Sequence, residues 1–154
     1  MNKAFVNEDD QGQIDVLPDR EIPPHPNLVT AEGLAQIERM QADLSKQLAV
    51  AEAGEDLTAQ AHIARDLRYW TARRSNAELV PTTKDKSKVA FGLRVTIERD
   101  DGLKHTFRIV GLDEADPEKG TISYISPMAR ALMGKSVGHV VHVGQGDAEI
   151  IAIE

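Results

Sequence analysis

The spacing of apolar side chains along the chain changes its period near residue 89. Between Thr30 and Leu79, apolar side chains recur at alternating intervals of three and four residues, the period of a helix that buries one stripe. From Val89 onward, apolar and polar side chains alternate, as they do in strands with one buried face. The pattern therefore predicts a helical part followed by a β-rich part, which together make an α+β chain.

The helical part, residues 30–80, contains two amphipathic stretches separated by Ala53-Gly54-Glu55-Asp56. Thr30 can cap the start of the first helix with its hydroxyl. Because each stretch leaves one stripe without a partner, we expect an antiparallel coiled-coil hairpin with its tip near residues 52–58. The predicted stripes are Leu34, Ile37, Gln41, Leu44, Leu48 and Ala51 in the first helix, and Gln60, Ile63, Leu67, Trp70, Arg74 and Ala77 in the second.

The β-rich part, residues 89–154, is predicted to be a small antiparallel sheet domain with one short helix. Strands are expected at residues 89–98, 105–110, 122–125, 135–143 and 148–153, with an acidic loop at residues 113–120. In the helix, Ser126 can supply the cap, Pro127 is favoured at the first position, and Gly134 favours termination.

Residues 1–29 carry six acidic residues and four prolines, a composition typical of a disordered tail. The alternative is that Ala4-Phe5-Val6 or Ile22-Pro-Pro-His-Pro26 docks on a partner or on the chain's own domain. Residues 81–88 form a polar linker. Histidine spacing does not favour a metal site, because His139 and His142 would lie on opposite faces of a strand.

Composition narrows the functional classes. The chain has 154 residues, a formal net charge of −7 and no cysteine. This charge argues against a broad nucleic-acid face and favours a protein partner with basic surfaces. Without an apolar run of membrane-spanning length or the apolar core of a signal peptide, we expect a cytoplasmic protein. A hairpin that covers its own stripes predicts a monomer.

The run Ile122-Ser-Tyr-Ile-Ser-Pro-Met-Ala-Arg-Ala-Leu-Met-Gly-Lys-Ser-Val-Gly138, with the preceding Phe107–Ser123 segment, resembles the C-terminal domain of the bacterial GreA/GreB transcription elongation factors. One departure is His139, which stands where the family usually has Asp. The resemblance implies an FKBP-like sheet domain with a helical hairpin on its N-terminal side. It also implies docking to RNA polymerase, for which the candidates are Ser126, Pro127, Arg130 and Lys135.

Three acidic residues at the predicted tip, Glu52, Glu55 and Asp56, are the candidate functional carboxylates. Crowded carboxylates can contribute to a Mg²⁺ site when a partner supplies further ligands. In the family, an Asp-Leu-x-Glu-Asn-Ala-type tip enters the secondary channel of RNA polymerase and assists transcript cleavage at the polymerase's own metal. Here Asp56 matches the first acid, but Ala59 replaces the second, and the arms are about two helical turns shorter. The alternative is that these polar residues only cap the turn and start the second helix.

A basic row on the second helix is the other candidate, continued by lysines 84, 86 and 88 in the linker. It could face nucleic acid or an acidic protein surface, or it could simply be solvated. Its members are Arg65, Arg68, Arg73 and Arg74.

We therefore expect a regulatory factor and not an enzyme, with no stably bound metal and no cofactor beyond Mg²⁺ shared with the polymerase. Two mechanisms remain open, stimulation of cleavage or occupation of the secondary channel without cleavage, and Ala59 with the short arms favours occupation. The alternative function is a binding regulator similar to the Rnk-type regulators of nucleoside diphosphate kinase.

Overall fold

The computed structural model describes residues 17–144 and 146–154 and confirms the α+β class, with a helical hairpin and a sheet around one short helix. By contacts the described chain falls into two compact units, residues 17–23 with 38–75 and residues 24–37 with 76–154. The first unit is mainly helical. The second contains every strand of the described residues.

The hairpin consists of α1 (Ala31–Ala53) and α2 (Leu57–Ser75). Contacts between them run antiparallel: Arg74 Nε lies 3.1 Å from Glu38 Oε1, and Gln41 Nε2 lies 3.5 Å from Thr71 Oγ1. Nearer the turn, Gln60 Nε2 donates to the carbonyl of Ala51 at 3.2 Å. The residue numbers rise in one helix as they fall in the other, so the coiled-coil hairpin prediction is confirmed.

The buried stripe of α2 differs from the predicted one near the end of the helix. The fully buried residues of α2 are Tyr69, Trp70 and Arg73, whereas Arg74 is exposed. Trp70 and Arg73 are three residues apart, so the stripe continues by a step of three where the sequence analysis assumed four. The prediction of Ala77 as a helical position was also wrong, because α2 ends at Ser75 and Ala77 begins a strand.

Two short strands flank the hairpin in sequence, β1 (Asn27–Val29) and β2 (Ala77–Leu79), and they pair in parallel. The prediction of a disordered tail was therefore wrong for residues 27–29, which are ordered by this pairing and by a hydrogen bond from Tyr124 Oη to the carbonyl of Pro26. Residues 17–26 contain no helix or strand. Residues 1–16 lie outside the described part, so the suggestion of docking by Ala4–Val6 stays a prediction.

The main sheet has five strands in the order β5-β4-β3-β7-β6. Pairing is antiparallel except at one edge, where β5 runs parallel to β4. The strands and the helix α3 that follows β5 have these bounds: β3 Arg94–Arg99, β4 Lys104–Val110, β5 Thr121–Ser123, α3 Pro127–Leu132, β6 Val140–His142 and β7 Asp147–Ile153.

The core of the sheet unit lies between the sheet and α3. Leu132 and Ala129 of α3 are fully buried, together with strand residues such as Val95, Ile97 and Ile150. The strand expected from residue 89 begins only at Arg94, because Gly92 adopts a left-handed φ of 87° and turns the chain. Residues before that turn are still buried in the core, because alternate side chains can be buried without a regular strand.

The first turn of α1 is fixed within the sheet unit by Glu114, which lies in a 3₁₀ turn after β4. The Glu114 carboxylate accepts hydrogen bonds from the backbone amide of Thr30 at 3.1 Å, from the Thr30 hydroxyl, and from the backbone amide of Gly111 at 3.0 Å. Thr30 Oγ1 in turn accepts from the amide of Gly33 at 3.1 Å, which caps α1. A Cβ on Gly33 would lie 2.1 Å from Glu114 Cδ, so a larger residue there would displace the Glu114 carboxylate from these hydrogen bonds.

Candidate functional site: the interhelical turn

The interhelical turn, residues 52–58, is closed by backbone hydrogen bonds that end α1. The amide of Gly54 donates to the carbonyl of Val50 at 3.0 Å, and the amide of Asp56 donates to the carbonyl of Ala51 at 3.0 Å. The second bond spans six residues and places Glu55 at the position that is usually left-handed at a helix C-terminus. Glu55 indeed has a φ of 54°, and it is the one non-glycine residue with positive φ in the described chain.

Glycine is the usual residue at such a position, because it has no Cβ to strain the left-handed conformation. The sequence instead places Gly54 one residue earlier, where φ is not positive, and puts a carboxylate at the strained position. The turn therefore carries a local cost in free energy for keeping Glu55. Strained backbone positions of this kind are concentrated at functional sites.

Asp56 starts α2 as its N-cap. Its Oδ1 accepts a hydrogen bond from the backbone amide of Ala59 at 3.1 Å, and its carbonyl accepts from the amide of Gln60 at 3.0 Å. The capping alternative from the sequence is thus the observed structural role of Asp56. A cap does not remove the carboxylate from solvent, because Asp56 remains exposed.

Glu52 and Glu55 are exposed as well, so the turn presents three carboxylates to solvent. Across residues 17–144 and 146–154, no group of three or more His, Cys, Asp or Glu side chains is arranged to hold a metal ion. Exposed carboxylates suit a Mg²⁺ ion whose remaining ligands come from a partner or from water. The role of the three acids stays a prediction.

Ala59 occupies the third position of α2, where a glutamate would complete a capping box with the Asp56 cap. The acid that the family pattern expects there would thus both add a negative charge and hydrogen bond back toward the helix start. Here the position supplies only its backbone amide. With alanine at this position, α2 begins without the second, reciprocal hydrogen bond of a capping box.

Two exposed apolar side chains near the turn lie outside the stripes that the sequence predicts. Val50 is 73% exposed and Leu57 is 55% exposed. Val50 lines a groove of about 600 Å³ formed by residues of both helices, among them Ile63, Ala59 and Lys46. Val50 falls outside the predicted stripe of α1. An apolar residue at a position predicted to face solvent was the sequence signal for this exposed side chain.

The basic row of α2 is largely paired with acids. Arg68 Nε lies 2.7 Å from Asp19 Oδ1, and Arg65 Nη2 lies 3.5 Å from Asp66 Oδ1. Arg74 pairs with Glu38 as described above. Arg73 has no exposed surface, so its assignment to a basic face was wrong; it follows Trp70 into the buried stripe.

The candidate docking residues of the sheet unit differ in the contacts that they make within the fold. Ser126 Oγ accepts a hydrogen bond from the amide of Ala129 at 3.2 Å, so its hydroxyl caps α3. The side chains of Pro127, Arg130 and Lys135 are exposed. The backbone of Lys135 is structural, since its carbonyl accepts from the amide of Val89 at 2.8 Å.

Exposed apolar residues Val137 and Val140, at 56% and 59%, follow these positions and were not predicted as surface features. They lie in and before β6, an edge strand of the sheet. Alternation alone could not distinguish their exposed side from the buried side occupied by Val141. Their docking roles, like those of Ser126, Pro127, Arg130 and Lys135, stay predictions.

Two carboxyl groups outside the interhelical turn have lowered pKa values. The pKa of Glu32 is lowered chiefly by a hydrogen bond from its own backbone amide, and further by Arg108, whose Nη2 lies 3.3 Å away. The pKa of Asp85 is lowered by hydrogen bonds from the side chain and then the backbone amide of Ser87. Neither group lies near the three acids of the turn in sequence.

The chain is similar to known proteins of one family. The family model described as "Transcription elongation factor, GreA/GreB, C-term" matches residues 84–154. The protein named transcription elongation factor GreA of Thioalkalivibrio sulfidiphilus is 40% identical over 125 residues, covering 69% of this chain and 79% of that protein. GreA of Ruegeria pomeroyi is 39% identical over 123 residues, with the same coverage of each chain.

Among solved structures, the GreA factor homolog 1 protein of Thermus thermophilus aligns with 84% of this chain and 99% of its own, at 23% identity and a TM-score of 0.41. Within the described residues, no helix is long and apolar enough to cross a membrane.

Proposed function

The chain belongs to the GreA/GreB family of transcription elongation factors, and from this premise we propose that it binds RNA polymerase at the secondary channel and modulates elongation. The sheet unit docks at the rim of the channel and the helical hairpin enters it. The observation that carries the proposal is the interhelical turn, where three exposed carboxylates are kept although Glu55 strains the backbone. We place this action in the bacterial cytoplasm.

Within this function, we propose occupation of the channel as the principal mechanism. Asp56 Oδ1 already accepts a hydrogen bond from the amide of Ala59, and Ala59 offers no carboxylate at the position where the family pattern has its second acid. Glu55 and Asp56 could approach a Mg²⁺ that the polymerase holds, and such an ion would supply Lewis-acid chemistry for RNA cleavage. The chain itself is a regulator and not an enzyme.

The first experiment is co-purification with core RNA polymerase at moderate salt. Retention of the protein on immobilised polymerase supports the proposal. Loss of binding would instead favour the alternative, a Rnk-like regulator that acts away from the polymerase. Arg130→Glu and Lys135→Glu test the docking surface, and Lys104→Glu, at an exposed position of β4, is the matched control.

The second experiment is a transcript-cleavage assay on backtracked complexes. We expect little stimulation by the wild type and several-fold more by Ala59→Glu, because that variant adds the missing carboxylate and completes a capping box. Ala59→Gln is the matched control, since it has similar size and capping ability without the charge. Equal activity of the two variants would contradict the role given to the second acid.

The assay also separates the two mechanisms in the wild type. Glu55→Gln with Asp56→Asn removes both charges but keeps a side chain able to cap α2. If the wild type stimulates cleavage and this double variant does not, cleavage assistance is the mechanism and channel occupation alone is wrong. If neither stimulates cleavage but both slow nucleotide addition, occupation is supported.

A further inference from the structure

The segment Leu17–Pro23 lies along α2 within the helical unit and is attached by charged groups. Asp19 Oδ1 accepts a hydrogen bond from Arg68 Nε at 2.7 Å. Arg20 Nη1 lies 3.4 Å from Asp66 Oδ1, and its guanidinium carbon lies 3.8 Å from the centre of the Tyr69 ring. Two ion pairs and one cation–π contact thus join two consecutive residues of the segment to one side of α2.

These attachments are exposed to solvent. The side chains of Arg68 and Asp19 are 53% and 69% exposed, and those of Arg20 and Asp66 are 39% and 35% exposed. Ion pairs of this kind are weak and are screened by salt. The two ion pairs therefore contribute little to holding the segment, and added salt weakens them further.

The residues of α2 that the segment contacts are Asp66, Arg68 and Tyr69, and we call this surface the segment-binding side of α2. Among the described residues, the buried Nε of Arg65 has no hydrogen-bond partner. The Tyr69 ring is held edge-on against Trp70, with ring centres 5.2 Å apart. An aromatic face beside the Arg68 guanidinium and the Asp66 carboxylate suits a chain that carries both carboxylate and cationic side chains, as Asp19-Arg20 does.

We propose that the segment-binding side of α2 is a docking surface for an extended peptide of a partner protein that carries a carboxylate next to a guanidinium group, and that Leu17–Pro23 occupies it as an exchangeable internal ligand. The bound segment shows the chemistry that fits, a carboxylate on Arg68 and a guanidinium on Tyr69. Pro18 and Pro23 restrict the backbone of the segment, which lowers the entropy lost when such a peptide docks. The proposal does not depend on binding to RNA polymerase.

A tethered segment competes strongly with a free peptide because its effective concentration is on the order of 1 mM. If the internal segment occupies the surface about nine-tenths of the time, a free peptide binds about tenfold more weakly than it would to the open surface. Weakening the internal attachment should therefore increase the affinity for an added peptide.

The test uses the full chain and a fluorescein-labelled peptide with the sequence of residues 17–26, followed by fluorescence anisotropy. Asp19→Lys opposes Arg68 and opens the surface, so this variant should bind the peptide about tenfold more tightly than the wild type. Combining Asp19→Lys with Arg68→Glu reverses both charges and restores the internal attraction, so binding of the peptide should be lost. A peptide with Asp19→Asn and Glu21→Gln is the matched control ligand and should bind weakly to every variant.

Three results would overturn the proposal. Equal peptide affinity of the wild type and Asp19→Lys would mean that the segment is not a competitor. Absence of peptide binding to Asp19→Lys up to about 1 mM would mean that the surface is not a peptide site. Tighter binding of a single-stranded RNA oligonucleotide than of the peptide would assign the surface to nucleic acid instead.

Trp70 gives an independent readout because it is the only tryptophan of the chain and packs against Tyr69. Added NaCl should release the segment and shift the Trp70 emission in the wild type. Asp19→Lys, with the segment already released, should show little shift. Circular dichroism checks that the variants keep their helix content, and equal salt responses of the two proteins would contradict an ionic attachment.

Discussion

The helical hairpin and the sheet unit are stabilised by different kinds of contacts. The sheet unit has a continuous core of eleven buried apolar residues, among them Ile97, Leu132 and Ile150. In the hairpin beyond Ile37, the buried apolar residues are Leu44, Ala51, Tyr69 and Trp70, supported by ion pairs on the surface. The hairpin also keeps features that cost stability, namely a strained Glu55 and the exposed Val50 and Leu57. Stability is thus concentrated in the sheet unit, and the hairpin turn is free to carry functional side chains.

The largest expected effects on the free energy of unfolding come from truncating one buried side chain in the core of each unit. Ile150→Ala should lower the free energy of unfolding of the sheet unit by about 4 kcal/mol, because the side chain of Ile150 in β7 is fully buried in the core. Leu44→Ala should lower that of the hairpin by only about 2 kcal/mol, because the thin hairpin core can relax around the missing atoms.

Urea unfolding followed by Trp70 fluorescence measures the hairpin, and amide hydrogen exchange in β3 and β7 measures the sheet unit. Val140→Ala, at an exposed position of β6, is the control and should change neither. A loss in the hairpin as large as that in the sheet unit would contradict the contrast between the two cores.

Alanine substitutions at two glycines test the same difference in stability between the sheet unit and the hairpin. Gly111 lies in the sheet unit, and a Cβ there would be 2.2 Å from the backbone carbonyl oxygen of Leu28. Backbone cannot move as cheaply as a side chain, so Gly111→Ala should destabilise the sheet unit by about 2 kcal/mol. At Gly54 the nearest atom to a Cβ is 3.5 Å away and φ is not positive, so Gly54→Ala should stabilise the hairpin by about 0.5 kcal/mol.

Thermal unfolding of both variants gives the measurement. A destabilised Gly54→Ala would mean that the turn needs glycine for a reason other than its φ or its space. A neutral Gly111→Ala would mean that the loop after β4 relaxes without losing the contacts of Glu114.

The two units also differ in how far sequence predicts them. Ser126 and Pro127 identified the start of α3, because a hydroxyl cap followed by proline is a local signal. The break between α1 and α2 was likewise predicted from a local sequence pattern. By contrast, the ordering of Asn27–Val29 depends on Ala77–Leu79, fifty residues later, and no local pattern contains that pairing.

The same distinction applies to the candidate site. Glu52, Glu55 and Asp56 could be identified from composition, but their geometry could not. Nothing local predicted that Glu55, and not the neighbouring Gly54, would take the left-handed position. Arg73 was misassigned because a step of three and a step of four are both compatible with a helical stripe, and only packing selects between them.

A smaller effect is expected at the cap of α2. Asp56→Ala removes the acceptor of the Ala59 amide and should lower the stability of the hairpin by about 1 kcal/mol. Asp56→Asn should retain most of the stability, because an asparagine oxygen can accept the same hydrogen bond. Urea unfolding by Trp70 fluorescence distinguishes the two, and equal losses would mean that the charge of Asp56, and not its cap geometry, stabilises the turn.

A similarly small stabilising effect is expected at Glu55, and it tests whether the hairpin gives up stability for function. Glu55→Gly removes the strain of a positive φ and should stabilise the hairpin by about 0.5 to 1 kcal/mol, even though glycine is more flexible when unfolded. Glu55→Gln is the control, since it keeps the strain while removing the charge, and it should leave stability unchanged. In polymerase assays, both variants should lose the same part of the wild-type effect if the carboxylate is the functional group. A more stable Glu55→Gly with full activity would show that the strain serves no function there, whereas an unstabilised variant would mean that the surrounding hydrogen bonds, such as that from the Asp56 amide to the Ala51 carbonyl, already offset the strain.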